Sequence, residues 1–176
     1  GQWFISETRC GPMVHARLGV AEENSGKLVT LVRAEAKRIA EDRKLSVILI
    51  DGAPGIGCPV IASIAGSDLV LVVTEPTLSG LHDLGRVVDL TKHFGIETLI
   101  CINKWDLNEE LAGRIEDQAA EGGLKVAGRV RYDKAVTEAQ IQRRSVVEYA
   151  RDGVADDVRQ LWQVVLSAIE SQEVAR

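Results

Sequence analysis

The chain has 176 residues, 45% of them hydrophobic, and a net charge of −5 from 21 Lys and Arg against 26 Asp and Glu. That length fits one domain with a substantial core, and the acidic balance argues against a nucleic-acid or anionic-membrane binder. No apolar stretch reaches the roughly 18 residues that would suggest a bilayer-spanning helix. The start, Gly1-Gln2-Trp3-Phe4-Ile5, has neither the basic region nor the cleavage pattern of a secretory signal. It also lacks an initiator methionine, and a piece of a longer protein is the expectation. Cys10, Cys58 and Cys101 are far apart and form no CxxC pair. They suit neither a disulfide framework nor a zinc ribbon, and a reducing cytoplasm is the expected compartment.

Strand-like apolar runs alternate with amphipathic helical stretches along the chain. Residues 3–5 and 13–18 read as short strands joined by a turn around Gly11-Pro12. Asn24 or Ser25 is a candidate cap for a helix over 27–44, with Leu28, Leu31, Val32 and Ile39 along one face. Val47-Ile48-Leu49-Ile50 is unbroken apolar sequence, the pattern of a strand buried on both faces of a parallel sheet. Residues 61–65 read as a short helical segment, and 68–74 as a second buried strand that Glu75-Pro76 ends. Ser79 can cap a helix reaching Phe94, where Gly95 stops it. A third strand over 98–102, a helix over 108–121 and a more polar strand over 125–130, expected nearer an edge, come next. Helices over 135–142 and 154–170 close the chain. This alternation predicts βαβ crossovers and one α/β domain of three layers, a mostly parallel sheet with helices on both faces.

In open α/β sheets ligands bind beyond the carboxyl ends of the strands, so the residues that follow each apolar run are the candidates. Asp51 ends the 47–50 run, and Gly52-Ala53-Pro54-Gly55-Ile56-Gly57 follows at once. The pair reads as a Walker-B acid, holding a water of the Mg²⁺ shell, and a loop whose Gly55 N–H senses a γ-phosphate. The bland alternative for Asp51 is a turn or cap residue. Asn103-Lys104-Trp105-Asp106 follows the third strand and matches Asn-Lys-x-Asp, the guanine-recognition signature of GTPases. Base contact by Asn103 is favoured, with the base left open, against a loop in which Asp106 or Asn108 caps a helix. Tyr132-Asp133, after the fourth strand, is a further candidate for base or ribose contact, or an ordinary polar turn. Cys58, seven residues after Asp51, is either an inert thiol or a metal-cluster ligand that would need a second copy to complete the set. A Walker-A loop, GxxxxGK[ST], is not found. Around Ser25-Gly26-Lys27-Leu28 it fails at both ends, with Ala21 at the first glycine and Leu28 at the Ser/Thr position. Glu22-Glu23 fits a helix N-terminus, and His15, His82 and His93 show no ligand spacing.

These residues carry a resemblance. Ser6-Glu7-Thr8-Arg9, residues 11–16, residues 22–29, residues 51–63, Thr74-Glu75-Pro76-Thr77 and residues 101–107 together resemble the C-terminal part of MinD/ParA/Mrp-type P-loop ATPases. The subgroup resembled carries an inserted [4Fe-4S] ferredoxin-like domain. The resemblance implies a P-loop NTPase-like fold of the SIMIBI type lacking its N-terminal Walker-A segment, with residues 1–20 as return strands after an upstream insert. It makes Asp51 the Walker-B acid, Gly55 the switch II glycine and Asn103 the adenine-contacting asparagine, with residues 131–133 as the second base-contacting loop. It further implies ATP and Mg²⁺ in the full-length protein, a homodimer around ATP, an unknown client connected with metals or iron-sulfur chemistry, and iron-sulfur cysteines before Gly1. In the related nitrogenase iron protein a cysteine just after switch II bridges two subunits through a cluster, which suggests the same comparison for Cys58. The chain departs from the pattern in lacking the phosphate loop, in lacking the proline that relatives often carry near Arg131-Tyr132-Asp133-Lys134, and in having Arg144-Ser145 in place of a Gly-x-Pro stretch. The expected activity is that of the Walker-B, switch II and base-recognition half of an ATPase, inactive by itself. Alternatives are a GTPase that uses Asn103-Lys104-Trp105-Asp106 and a non-catalytic cluster-binding or assembly module.

Overall fold

A computed structural model of the chain describes residues 1–19 and 26–174. Two compact units are distinguished, Gly1–Ser67 and Asp68–Arg176. The candidate caps Asn24 and Ser25, and Glu22-Glu23, lie outside the described residues.

In the first unit, β1 (Gln2–Thr8) and β2 (Gly11–Arg17) pair antiparallel, Gln2 opposite Arg17 and Thr8 opposite Gly11. The turn is Arg9-Cys10, two residues earlier than Gly11-Pro12. Thr8 Oγ1 closes it, donating to the Gly11 carbonyl at 2.7 Å and accepting the Cys10 N–H at 3.1 Å. Gly11, at φ +118°, takes a backbone conformation that side-chain-bearing residues rarely reach. Helix α1 (Gly26–Arg43) follows and is tied to the hairpin by Arg43, which donates from Nη1 and Nη2 to the Glu7 carboxylate. Of the apolar face expected for α1, Ile39 is buried but Leu31 is exposed. Helix α2 (Cys58–Ile64) begins three residues before the segment expected.

Residues 47–50 do not form the buried strand their composition suggests. They have no ladder partner among the described residues, and Leu49 is 83% exposed. Apolar β-branched residues favour a pleated surface only where neighbouring strands supply hydrogen bonds and packing. The described sheet of this unit is the β1–β2 hairpin, which does not extend to them.

The second unit matches the expected layering. Strands β3 (Leu69–Thr74), β4 (Glu97–Asn103) and β5 (Lys125–Val130) form a parallel sheet in the order β3-β4-β5. The polar β5 is at an edge, as its composition indicates. β3 is the other edge, so this strand is half-buried rather than buried, with Val73 58% exposed. Helices α3 (Leu78–His93) and α4 (Glu109–Glu121) connect the strands. Alternate residues of β4 face opposite sides. Ile100 and Ile102 pack with Leu84 and Val88 of α3 and with Ala112, Ile115 and Ala119 of α4. Leu99 packs with Leu161 and Val165 of α7 (Val154–Val174). Between β5 and α7 lie α5 (Lys134–Ile141) and a single turn, α6 (Val146–Tyr149), that the sequence does not announce. Ser145 and Glu148 form a reciprocal capping box at that turn. None of the described helices is long and apolar enough to cross a membrane.

Candidate nucleotide site

Asp51, Gly55 and Cys58 belong to the first unit. Asp51 is exposed in the connection between α1 and α2. Gly55 has φ +88° and open space where a Cβ would stand, so its backbone is bare to an approaching group. Gly57 caps α2 without a side-chain bond, and Pro59 occupies the first turn, where a missing N–H costs nothing. The far end of α2 is closed by Arg33 of α1, whose Nη1 donates to the carbonyls of Ala62 (2.6 Å) and Ala65 (2.7 Å). These carbonyls lack helical partners, and a cation beside them also complements the helix dipole. The two helices also touch at their N-terminal ends, where a Cβ on Gly26 would stand 3.2 Å from the Cys58 carbonyl oxygen.

The thiols do not form a ligand set. Cys10 and Cys58 are exposed, Cys101 is buried in β4, and no three metal-ligating side chains converge among the described residues. A [4Fe-4S] cluster takes four such ligands, so the described residues of this chain do not fit one. Asp51 alone is compatible with Mg²⁺, which keeps most of its waters and needs only one or two carboxylates.

The other candidates lie in the second unit, on the loops that leave the carboxyl ends of β3, β4 and β5. Because the strands are parallel, these three loops share one edge. They are laced together by side chains. After β3, Glu75 Oε1 pairs with Lys104 Nζ of the next loop at 2.7 Å. Asn103 is the last residue of β4, and Lys104, at φ 54°, turns the chain into a short 3₁₀ segment, Trp105–Leu107. Asp106 Oδ1 accepts the backbone N–H of Tyr132 at 2.7 Å, joining the second loop to the third. Asp133 caps α5, accepting the Ala135 N–H at 2.9 Å. Asn108, not Asp106, caps α4 through a bond from the Leu111 N–H. Asp106 therefore braces a loop, with one of its two oxygens committed, and Tyr132 is left half-exposed with its N–H satisfied.

Three groups at this edge have no clear signal in the sequence. Asp157, in the first turn of α7, accepts from Arg131 three times: from the backbone N–H (3.1 Å) and Nε (2.7 Å) at Oδ2, and from Nη2 (2.8 Å) at Oδ1. The Arg131 guanidinium holds the Asp157 carboxyl below the usual carboxylate range. Arg129 stacks 5.2 Å from the Trp105 ring centre and pairs with Glu116. Thr77 rather than Ser79 caps α3, accepting the Gly80 N–H at 2.9 Å, and Gly80 itself lies against the Glu75 carbonyl.

No family model matches the chain. Over 97 residues, 55% of the chain, it is 36% identical to the uncharacterized protein MJ0578 of Methanocaldococcus jannaschii, covering 34% of that protein. Over 141 residues, 79% of the chain, it is 24% identical to MJ0579 of the same archaeon, covering 46%. An uncharacterized ATP-binding protein from that organism, MJ0547, is 24% identical over 98 residues, 53% of the chain and 34% of that protein. The chain thus spans a third to a half of the length of these curated relatives. Among solved structures, a chain of the MinC:MinD cell division protein complex of Aquifex aeolicus matches with a TM-score of 0.70 and 15% identity, over 93% of this chain and 66% of that one. The cell division ATPase MinD of Pyrococcus furiosus matches at 0.65 and 19% identity, over 81% and 59% respectively. MinD of Pyrococcus horikoshii, solved with Mg-ADP, matches at 0.62 and 20% identity, over 86% and 58%. The chain has the open, parallel α/β fold of the MinD-like P-loop NTPases.

Proposed function

We propose that the chain is the Walker-B, switch II and base-recognition part of a MinD-like ATPase. One observation carries the reading: at the carboxyl edge of a parallel sheet, where open α/β folds take their ligands, the loops after β4 and β5 meet through the Asp106–Tyr132 bond. The Mg-ADP of the Pyrococcus horikoshii structure and the ATP-binding description of MJ0547 support an adenine nucleotide. In this reading Asn103 contacts the base, with Tyr132 and Asp133 on its other side. Asp51 holds a water of the Mg²⁺ shell and the bare Gly55 amide meets the γ-phosphate. A bound Mg²⁺ would supply charge neutralisation on the phosphates. The use of Asp106 as a loop brace favours this over the GTPase reading, in which its carboxylate would face the base.

The parent protein, in the same proposal, dimerises around ATP and uses hydrolysis to reset a client, with the resemblance pointing to iron-sulfur, metal or electron-transfer work. Residues 1–176 by themselves hydrolyse ATP negligibly. ATP binding to the intact parent protein, with and without Mg²⁺, tests the reading. Asp51→Asn should remove the affinity that Mg²⁺ adds and leave adenosine binding in place. A variant that responds to Mg²⁺ as the wild type does would take Asp51 out of the site.

A further inference from the structure

We infer that Asp157 is a positioning residue for the base-contacting loop, setting the conformation of residues 131–133 before any ligand arrives. The inference rests on the nucleotide reading given above. Every residue of this loop is held by a carboxylate, and among the described contacts only one of these holds lies within the loop's own element. Asp133 caps α5 locally. The Tyr132 N–H is fixed from the neighbouring strand's loop by Asp106. Arg131 is fixed from α7, 26 residues later, by three bonds to Asp157, one of them to its backbone. The Asp157 side chain is 12% exposed against 48% for Arg131, so the acid is the anchored partner and the arginine is drawn to it. Planar two-nitrogen donation to a carboxylate fixes direction as well as distance, and the added backbone bond fixes the chain at the start of the loop. The turn before α7 also comes close, since a Cβ on Gly153 would stand 3.7 Å from Asp133 Oδ2. The first turn of α7 is thus the template against which the loop is set. Preorganising a loop this way lowers the ordering cost of binding.

The test uses isotope-labelled protein of residues 1–176, with adenosine and guanosine as probes, and compares wild type with Asp157→Ala and Asp157→Asn. Amide exchange at Arg131 and Tyr132 reports the loop. Shifts of the Asn103 side-chain amide report the base. Asp157→Ala should speed exchange at Arg131 at least tenfold and raise the adenosine Kd about fivefold. Asp157→Asn, which keeps the shape and one acceptor, should give smaller changes of the same sign and guards against a misfolded alanine variant. Exchange at Arg131 unchanged in both variants would overturn the positioning role. So would faster exchange with an unaltered adenosine Kd. A wild-type protein on which neither nucleoside shifts Asn103 would refute the nucleotide reading and the inference with it, whereas the first two results leave that reading standing.

Discussion

Gly80 offers the sharpest test of how the β3 loop is built. A Cβ placed on it would stand under 3.0 Å from the Glu75 carbonyl oxygen, 2.9 Å from Thr74 Oγ1 and 3.1 Å from Thr77 Oγ1. The first neighbour is backbone and cannot swing away. Gly80→Ala must therefore move either the start of α3 or the Glu75 peptide. Overpacking of this kind costs about 1–3 kcal/mol, and loss of the Thr77 cap bond about 1 kcal/mol more. The helix propensity of alanine returns about 1 kcal/mol, which leaves a net loss of about 1–3 kcal/mol. For a chain of this size that lowers Tm by about 3–10 °C. Gly113, in the middle of α4, is the control. Its Cβ position is open space, so Gly113→Ala should raise stability by about 0.5–1 kcal/mol through propensity alone. Both sites lie in the second unit, and urea and thermal unfolding followed by circular dichroism compare them directly. Opposite signs are expected from the same chemical change. A Gly80→Ala protein as stable as wild type would refute the close approach of α3 to Glu75, and with it the placement of the Glu75–Lys104 pair.

Two further outcomes follow from the packing. Burial pushes the Cys101 thiol up to about 11, while an unfolded thiol ionises near ~8.5–9. The unfolded state therefore releases its proton first, and stability falls as pH rises from about 9 toward 11. The loss should be about 2 kcal/mol at pH 10.5, read by urea unfolding at pH 8 and 10.5. Cys101→Val should be free of that decrement, and an equal decrement in both proteins would show that the thiol is not its source. Arg33→Met removes the charged cap of α2, worth about 2 kcal/mol, so amide exchange in α2 should quicken about 30-fold. Unchanged exchange there would mean that the carbonyls of Ala62 and Ala65 do not depend on Arg33.

The layering of the second unit is legible because each strand is a short run stopped by turn residues: Glu75-Pro76 after β3, Lys104 after β4 and Tyr132-Asp133 after β5, with β3 and β4 strongly apolar. Even the edge position of β5 could be read from its Lys125 and Arg129. The same apolar signal at 47–50 misleads, because a strand is completed by its neighbours and the sequence does not say whether they are in reach. Thr77 and Ser79 are equally good caps by composition. The geometry selects Thr77, whose hydroxyl is three residues before the Gly80 amide. Asn-Lys-x-Asp was visible as a motif, yet its acid braces Tyr132, a use that spacing alone does not reveal. Asp157 was not visible at all. An acid in the first turn of a helix is ordinary dipole complement, and nothing in the sequence links it to Arg131 across 26 residues.

In the proposed reading an adenine base sits between the loops that follow β4 and β5. Photolabelling of the full-length protein with 8-azido-ATP, followed by mass spectrometry of its peptides, locates that base. Label should fall on residues 103–108 or 131–134, be competed by ATP and be competed far less by GTP. Label elsewhere in the chain, or equal competition by the two nucleotides, would refute this placement of an adenine base.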